Sequence, residues 1–217
     1  MLLAWAGVLP PRDFSFLPVV PSPTKYAMVA TPAPNAPPIA LVAGHSGGTD
    51  PGAVCLDGTR EVDITLDVSR RAKTLLETRG YRVEILQEFD ARLSATRRDY
   101  SPRAFLSIHV DSCIDFASGY KVARAANSAI APEDDRLVRC VKNAYASATL
   151  LPYHEGSITN NMLHYHGLNK IDPRAPAAII ELGFLGADAD SLKNKRDLLA
   201  QGIAEGLDEF ARGGECK

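Results

Sequence analysis

A chain of 217 residues, 46% hydrophobic and 23% charged, can bury one sizeable core and gives no sign of a second. Its formal charge of -2 and pI near 6.2 supply no electrostatic reason to bind nucleic acid or an anionic lipid surface. No apolar run approaches the ~20 residues that a membrane-spanning helix needs, so integral membrane association is not expected.

The first 38 residues hold nine of the 15 prolines. Such density sustains neither a helix nor a central strand, so 1–38 reads as an extended arm or linker ahead of a domain at 39–213. Within the arm, 2–9 has the character of a secretory apolar core and 28–30 offers a small-residue boundary, although no basic stretch precedes them. Phe14, Phe16, Leu17, Val19 and Val20 could instead pack along the outside of the domain.

The apolar run 39–43 predicts a first strand, ending on Gly44-His45, followed by a long glycine-rich loop through Gly52. From 60 to 79, Ile64, Val68, Ala72, Leu75 and Leu76 fall at helical spacing, with Gly80 as the stop. A second strand is predicted over 81–86, a short helix over 90–98, and a third strand over 104–111 that delivers His109. Residues 119–123 read as another strand. A helix over 132–149 opens with Pro132 and the acidic Glu133, Asp134 and Asp135, which suit the positive end of its dipole. The long irregular stretch 151–176 has the character of a binding loop. The apolar run 177–180 ends on Glu181, and a closing helix spans about 188–212. The alternation predicts a single α/β domain with a largely parallel central sheet of about six strands flanked by helices. The four cysteines, Cys55, Cys113, Cys140 and Cys216, lack C-x-x-C spacing, and free thiols are expected over disulfides, although Cys55 and Cys113 each follow a site loop closely enough to meet.

Three strands thus carry His45, His109 and Glu181 at their carboxyl ends, where ligands bind in open α/β sheets. Two His and one carboxylate form a common catalytic zinc set. For the carboxylate, Asp50, Glu61, Asp63 and Glu181 compete. Glu61 precedes Ile64, Val68 and Ala72 on their inward face, whereas Asp63 aligns with Asp67 and Arg70, so Glu61 is the expected third ligand. Glu181 then remains as a charge after four apolar residues, placed to act as general base for amide hydrolysis. Asp111 could orient a ligand imidazole. Gly44-His45-Ser46-Gly47-Gly48 also fits a serine-nucleophile pattern, but such an elbow must run straight into a helix, and here the loop continues. His154, His164 and His166 read as solvated loop residues, while Tyr153 and Tyr165 are candidates to line a groove or to anchor the loop.

With these motifs in hand, 43-AGHSGGTDPGA-53, Glu61, 107-SIHVD-111 and 180-IELGFL-185, the chain resembles the zinc-dependent N-acetylmuramoyl-L-alanine amidases of the type-3 cell-wall family over roughly 39–212. The resemblance implies that His45, Glu61 and His109 bind zinc and that Glu181 is the catalytic carboxylate. It also implies peptidoglycan as substrate, cut between the muramic acid lactyl group and L-alanine, by a monomer acting at the bacterial wall after export or delivery as a lysis protein. Val62 stands where the family often has Lys, and no regulatory insertion is evident, so an open site is expected. Two rivals differ in class. A zinc carboxypeptidase would need an Arg near the metal, for which Arg174 and Arg124 are the candidates; a non-catalytic wall-binding module would have no use for Glu181.

Overall fold

A computed structural model of the chain describes residues 35–216. The expectations for the arm, its apolar stretch at 2–9, the boundary at 28–30 and the packing of Phe14 to Val20 fall outside the described residues. In chain order the elements are β1 (Ile39–Ala43), α1 (Glu61–Thr78), β2 (Val83–Leu86), β3 (Ala104–Asp111), β4 (Lys121–Ala123), α2 (Ala131–Thr149), α3 (Asn160–Leu163), β5 (Ala177–Phe184), α4 (Ala189–Asn194) and α5 (Arg196–Ala211). The strands form one sheet in the order β2-β1-β3-β5-β4, parallel throughout except for the antiparallel edge strand β4. The chain passes from β1 through α1 to β2 on one side, then crosses to β3 on the other. That reversal opens a crevice at the carboxyl ends of β1 and β3.

The central strands are apolar because both their faces are covered: every residue of β1 is buried. Helix α1 turns Ile64, Val68, Ala72 and Leu76 inward at 0% exposure, and the Ile, Val and Leu of that stripe are each worth ~1.5–3 kcal/mol of burial. Its outer face carries ion pairs such as Arg71–Asp67. Helices α1, α2 and α5 cover one face of the sheet, where Leu41, Leu106, Ile108 and Ile180 meet Val68, Val141, Ile203 and Leu207 in one cluster. On the other face Ala40, Val42, Phe105 and Ile179 meet Met162, Tyr165, Leu168 and Ile171 from the long connection between α2 and β5. At the start of α2 the buried Asp134 accepts the Ala177 N–H at 2.8 Å, which fixes where β5 begins.

Several expectations are corrected. Among the described residues the sheet has five strands and not about six, and the connection 151–176 adds only the single bridge Tyr120–Tyr153 beside short helical turns. No helix forms over 90–98: Asp90 accepts the backbone N–H of Arg92 as well as its guanidinium, a local turn that competes with helix, and Arg98 has φ of 49°. The fourth strand starts at Lys121 because Gly119, at φ of 119°, turns the chain. The closing helix is two helices, α4 and α5, broken at Lys195. The cysteines are not free thiols: Cys55 pairs with Cys113 and Cys140 with Cys216. The pairs span 58 and 76 residues; the position of Cys55 and Cys113 behind two site loops pointed to the first pair, whereas nothing in the sequence pointed to the second.

Candidate metal centre

His45, Glu61 and His109 converge at the crevice, with one ligand atom from each lying within 4.8 Å of the others. Each arrives by a different route. Immediately beyond β1, His45 adopts the left-handed conformation at φ of 62°, with its N–H donated to Glu88 Oε2 at 2.9 Å. Glu61 opens α1, where its Oε2 accepts the Ala53 N–H and its Oε1 the Val110 N–H, both at 3.0 Å. Strand β3 supplies His109. Glu61 Oε1 lies 3.1 Å from His109 Nδ1, and Glu61 Oε2 lies 3.5 Å from His45 Nε2, so the carboxylate bridges the two rings.

Close approach in this corner depends on missing side chains. A Cβ on Gly44 would sit 2.6 Å from the His109 ring, and one on Gly52 would sit 2.5 Å from Glu61 Oε2 and 2.8 Å from His45 Cδ2. Gly52 also has φ of 70°, a conformation other residues adopt only under strain. The loop these glycines shape is tied down by the Cys55–Cys113 bond, which joins the segment before α1 to the segment after β3.

Glu181 stands beside His109 in the β3–β5 register. Its Oε2 is sealed from solvent without a hydrogen-bond partner, as is His109 Nε2. Removal from water, with Glu61 and Asp111 nearby, pushes the Glu181 carboxyl up to about 8 against the pull of His109 and Lys121. Burial opposes charge on His109 too, but the hydrogen bond it donates to Glu61 and the charges of Glu181 and Glu88 outweigh it and raise its affinity for a proton. Two imidazoles and a carboxylate are the donor set of a zinc-type ion, and a cation would satisfy the electron-rich corner that protons must otherwise neutralise. The residues present therefore can hold a metal ion.

The cleft in front of this group is about 420 Å³, lined by His45, Glu88, His109, Asp111, Lys121, Asn161, Met162, Tyr165 and Glu181 among others. The His45 side chain keeps 24% of its exposure, so the donor set is reached from solvent. Tyr165 is brought to the site, its ring edge-on to His109 at 5.3 Å and its hydroxyl donated to Glu88 Oε1 at 2.8 Å. Asp111 lines the cleft, but its carboxylate is engaged by the buried Lys121 ammonium and the Ser112 N–H, not by an imidazole. Asp50 faces the His45 ring instead, 3.0 Å from Nδ1. Arg174 is bound to Asp172 with 83% of its side chain exposed, and Arg124 to Asp135; neither guanidinium lines the cleft.

Glu88 and Lys121 were missed from sequence. Glu88 lies two residues past β2, so the strand-end rule that found His45 and His109 would have found it too. Lys121 opens a three-residue edge strand opposite Glu181, a place where a lysine ordinarily signals solvent. Here its ammonium is buried between Asp111, the Ser157 carbonyl and the Phe184 ring.

A donor set of three, which would leave room on an ion for water or substrate, beside a carboxylate with no hydrogen-bond partner, is an arrangement that metal-dependent hydrolases use, set here on a mostly parallel α/β sheet. The family model described as N-acetylmuramoyl-L-alanine amidase matches residues 39–209, and the chain belongs to that type-3 amidase family. Among its relatives, the probable cell wall amidase LytH of Staphylococcus saprophyticus is 28% identical over 197 residues, covering 85% of this chain and 63% of its own length. LytH of Staphylococcus aureus is 30% identical over 176 residues, 78% of this chain and 56% of its own. The chain thus spans roughly three fifths of the length of these relatives. The crystal structure of the N-acetylmuramyl-L-alanine amidase Ami1 from Mycobacterium smegmatis superposes with a TM-score of 0.69 at 20% identity, over 85% of this chain and 99% of that one. The amidase from Clostridium difficile 630 gives 0.63 at 19% identity, over 82% and 98%. These two likenesses bear on the fold.

Proposed function

We propose that the chain is a zinc-dependent peptidoglycan amidase that cuts the bond between the muramic acid lactyl group and L-alanine of the stem peptide. The observation that carries this reading is the convergence of His45, Glu61 and His109 beside the unpartnered Glu181, within a chain of the amidase family. His45, Glu61 and His109 would hold the ion, which when bound polarises the scissile carbonyl and lowers the pKa of its water toward ~7. Glu181, a general base fixed on β5, takes a proton from the attacking water and returns it to the departing amide nitrogen. The carbon–nitrogen bond breaks to leave a lactyl carboxylate and a free L-alanine amine. Lys121 pairs with Asp111 and supplies a positive charge beside Glu181. Among the described residues no guanidinium lines the cleft, which disfavours the carboxypeptidase reading, and a carboxylate whose sealed Oε2 has no hydrogen-bond partner disfavours a purely binding role.

The catalytic unit is assigned to 39–213, with 1–38 as an arm. One chain carries every residue of the site, so a monomer suffices. Action at the cell wall is supported by the relatives named cell wall amidases and by two disulfides, which belong outside the reducing cytosol. Among the described residues no helix is long and apolar enough to cross a membrane. Digestion of purified walls followed by mass analysis tests the assignment. It should free intact stem peptides with L-alanine at the amino end, with loss on chelation and recovery on adding zinc. Release of single carboxy-terminal residues would point to the carboxypeptidase instead.

A further inference from the structure

Glu88 is a buried carboxylate that the proposed reaction does not use, yet it reaches His45, His109, Tyr165 and His166. Its exposure is 6%. Oε2 accepts the His45 N–H at 2.9 Å and stands 3.6 Å from His109 Nε2, the nitrogen turned away from Glu61 and otherwise unpartnered. Oε1 accepts the Tyr165 hydroxyl at 2.8 Å and lies 2.6 Å from His166 Nε2. Behind it, His166 stacks on Phe89 with centroids 4.9 Å apart, and Lys170 Nζ lies 3.1 Å from His166 Nδ1.

We propose that Glu88 is the positioning residue of the metal centre: one carboxylate that sets both imidazoles and couples them to the connection between α2 and β5. This inference rests on the reading that His45, Glu61 and His109 hold the ion. Three physical points support it. A ligand imidazole is oriented and made more basic when its second nitrogen meets a carboxylate, and Asp50 does this for His45 while Glu88 faces that nitrogen of His109. The left-handed backbone of His45 needs an external tie, and the Glu88 acceptor supplies it. The donors from Tyr165 and His166 hold the carboxylate from the far side, so its aim is set before any ion arrives. Residues 165 and 166 thereby act on the metal through Glu88 and not by contact with it. A neutral amide cannot replace this group, because its single oxygen cannot accept from His45, Tyr165, His166 and His109 together.

The test is the zinc dissociation constant of the full chain, measured by chelator competition on the parent, Glu88→Gln and Tyr165→Phe. The visible absorption of each after cobalt substitution is recorded beside it. Glu88→Gln should bind zinc about 10–100-fold more weakly while its cobalt bands keep the parent's positions, since the ligands are unchanged. Tyr165→Phe, which keeps the carboxylate and removes one of its donors, should weaken binding severalfold, and it carries the test if Glu88→Gln does not fold. Zinc affinity within twofold of the parent in both variants overturns the proposal. Cobalt bands that shift to those of a centre with one ligand fewer in Glu88→Gln overturn it as well, because Glu88 would then be a ligand. A parent chain that binds no zinc would remove the metal-site reading itself and this inference with it, a failure distinct from an unaffected variant.

Discussion

Under α1, α2 and α5 the sheet buries aliphatic residues against aliphatic residues, Leu106 and Ile180 against Val141 and Ile203, and the polar groups of the cleft lie at its edge. The opposite face is closed by 151–176, and there Met162 and Tyr165 belong both to the core cluster and to the cleft wall. Stability and chemistry are therefore separable on the helix face and joined on the loop face. A rigid layer of helices positions strand ends, while an irregular segment, free of helical periodicity, can send a hydroxyl and an imidazole toward them.

The largest effect should come from Glu181, the proposed general base on β5. Glu181→Gln should lower wall hydrolysis by ~10²–10⁴-fold while metal content and melting temperature hold, as assays on metal-loaded protein would read. A loss of less than tenfold would remove Glu181 from the chemistry. On the helix face, Leu137→Ala, at a fully buried position, should cost ~2–5 kcal/mol in denaturant unfolding yet leave zinc affinity within twofold. Loss of metal in that variant would show that the two faces are not separable.

The disulfides divide along the same line. Removing either pair by Cys→Ser should cost ~2–4 kcal/mol. Loss of Cys140–Cys216, which ties the chain end to α2, should spare activity in the folded protein, whereas loss of Cys55–Cys113, which ties the Gly52 loop to the segment after His109, should reduce it. Equal activities in the two double variants would contradict this division.

The smallest effect is the pH dependence of the metal-free chain. Glu181 is raised in the folded state to about 8, against 4.5 for a solvated glutamate, so the native form binds the extra proton between those values. Its contribution to stability is present below about 4.5 and is lost as pH rises toward 8. Melting curves of the metal-free parent should show this decline, and Glu181→Gln should flatten it by ~1–3 kcal/mol.

The helix face was legible in the sequence and much of the loop face was not, for the same physical reason. Ile64, Val68 and Ala72 announce an inward stripe, and the stripe carried Glu61 with it; the apolar runs ending on His45, His109 and Glu181 announce buried strands. Glu88 sits between the predicted strand 81–86 and the predicted helix 90–98, and the Asx turn at Asp90 that prevents the helix leaves no periodic trace. Lys121 gives no sequence signal because its partners, Asp111 and the Ser157 carbonyl, stand 10 and 36 residues away and meet it only in the fold. Nothing in cysteine spacing reveals a pair joined through the sheet, nor does composition tell that Tyr165 turns inward while Arg174 turns out.

Metal analysis of the purified parent beside His45→Ala, Glu61→Gln and His109→Ala tests the core of this account most directly. The parent should carry one zinc per chain with affinity lost in all three variants while circular dichroism still reports the α/β fold. A parent without stoichiometric metal, or a fully loaded His109→Ala protein, would contradict it.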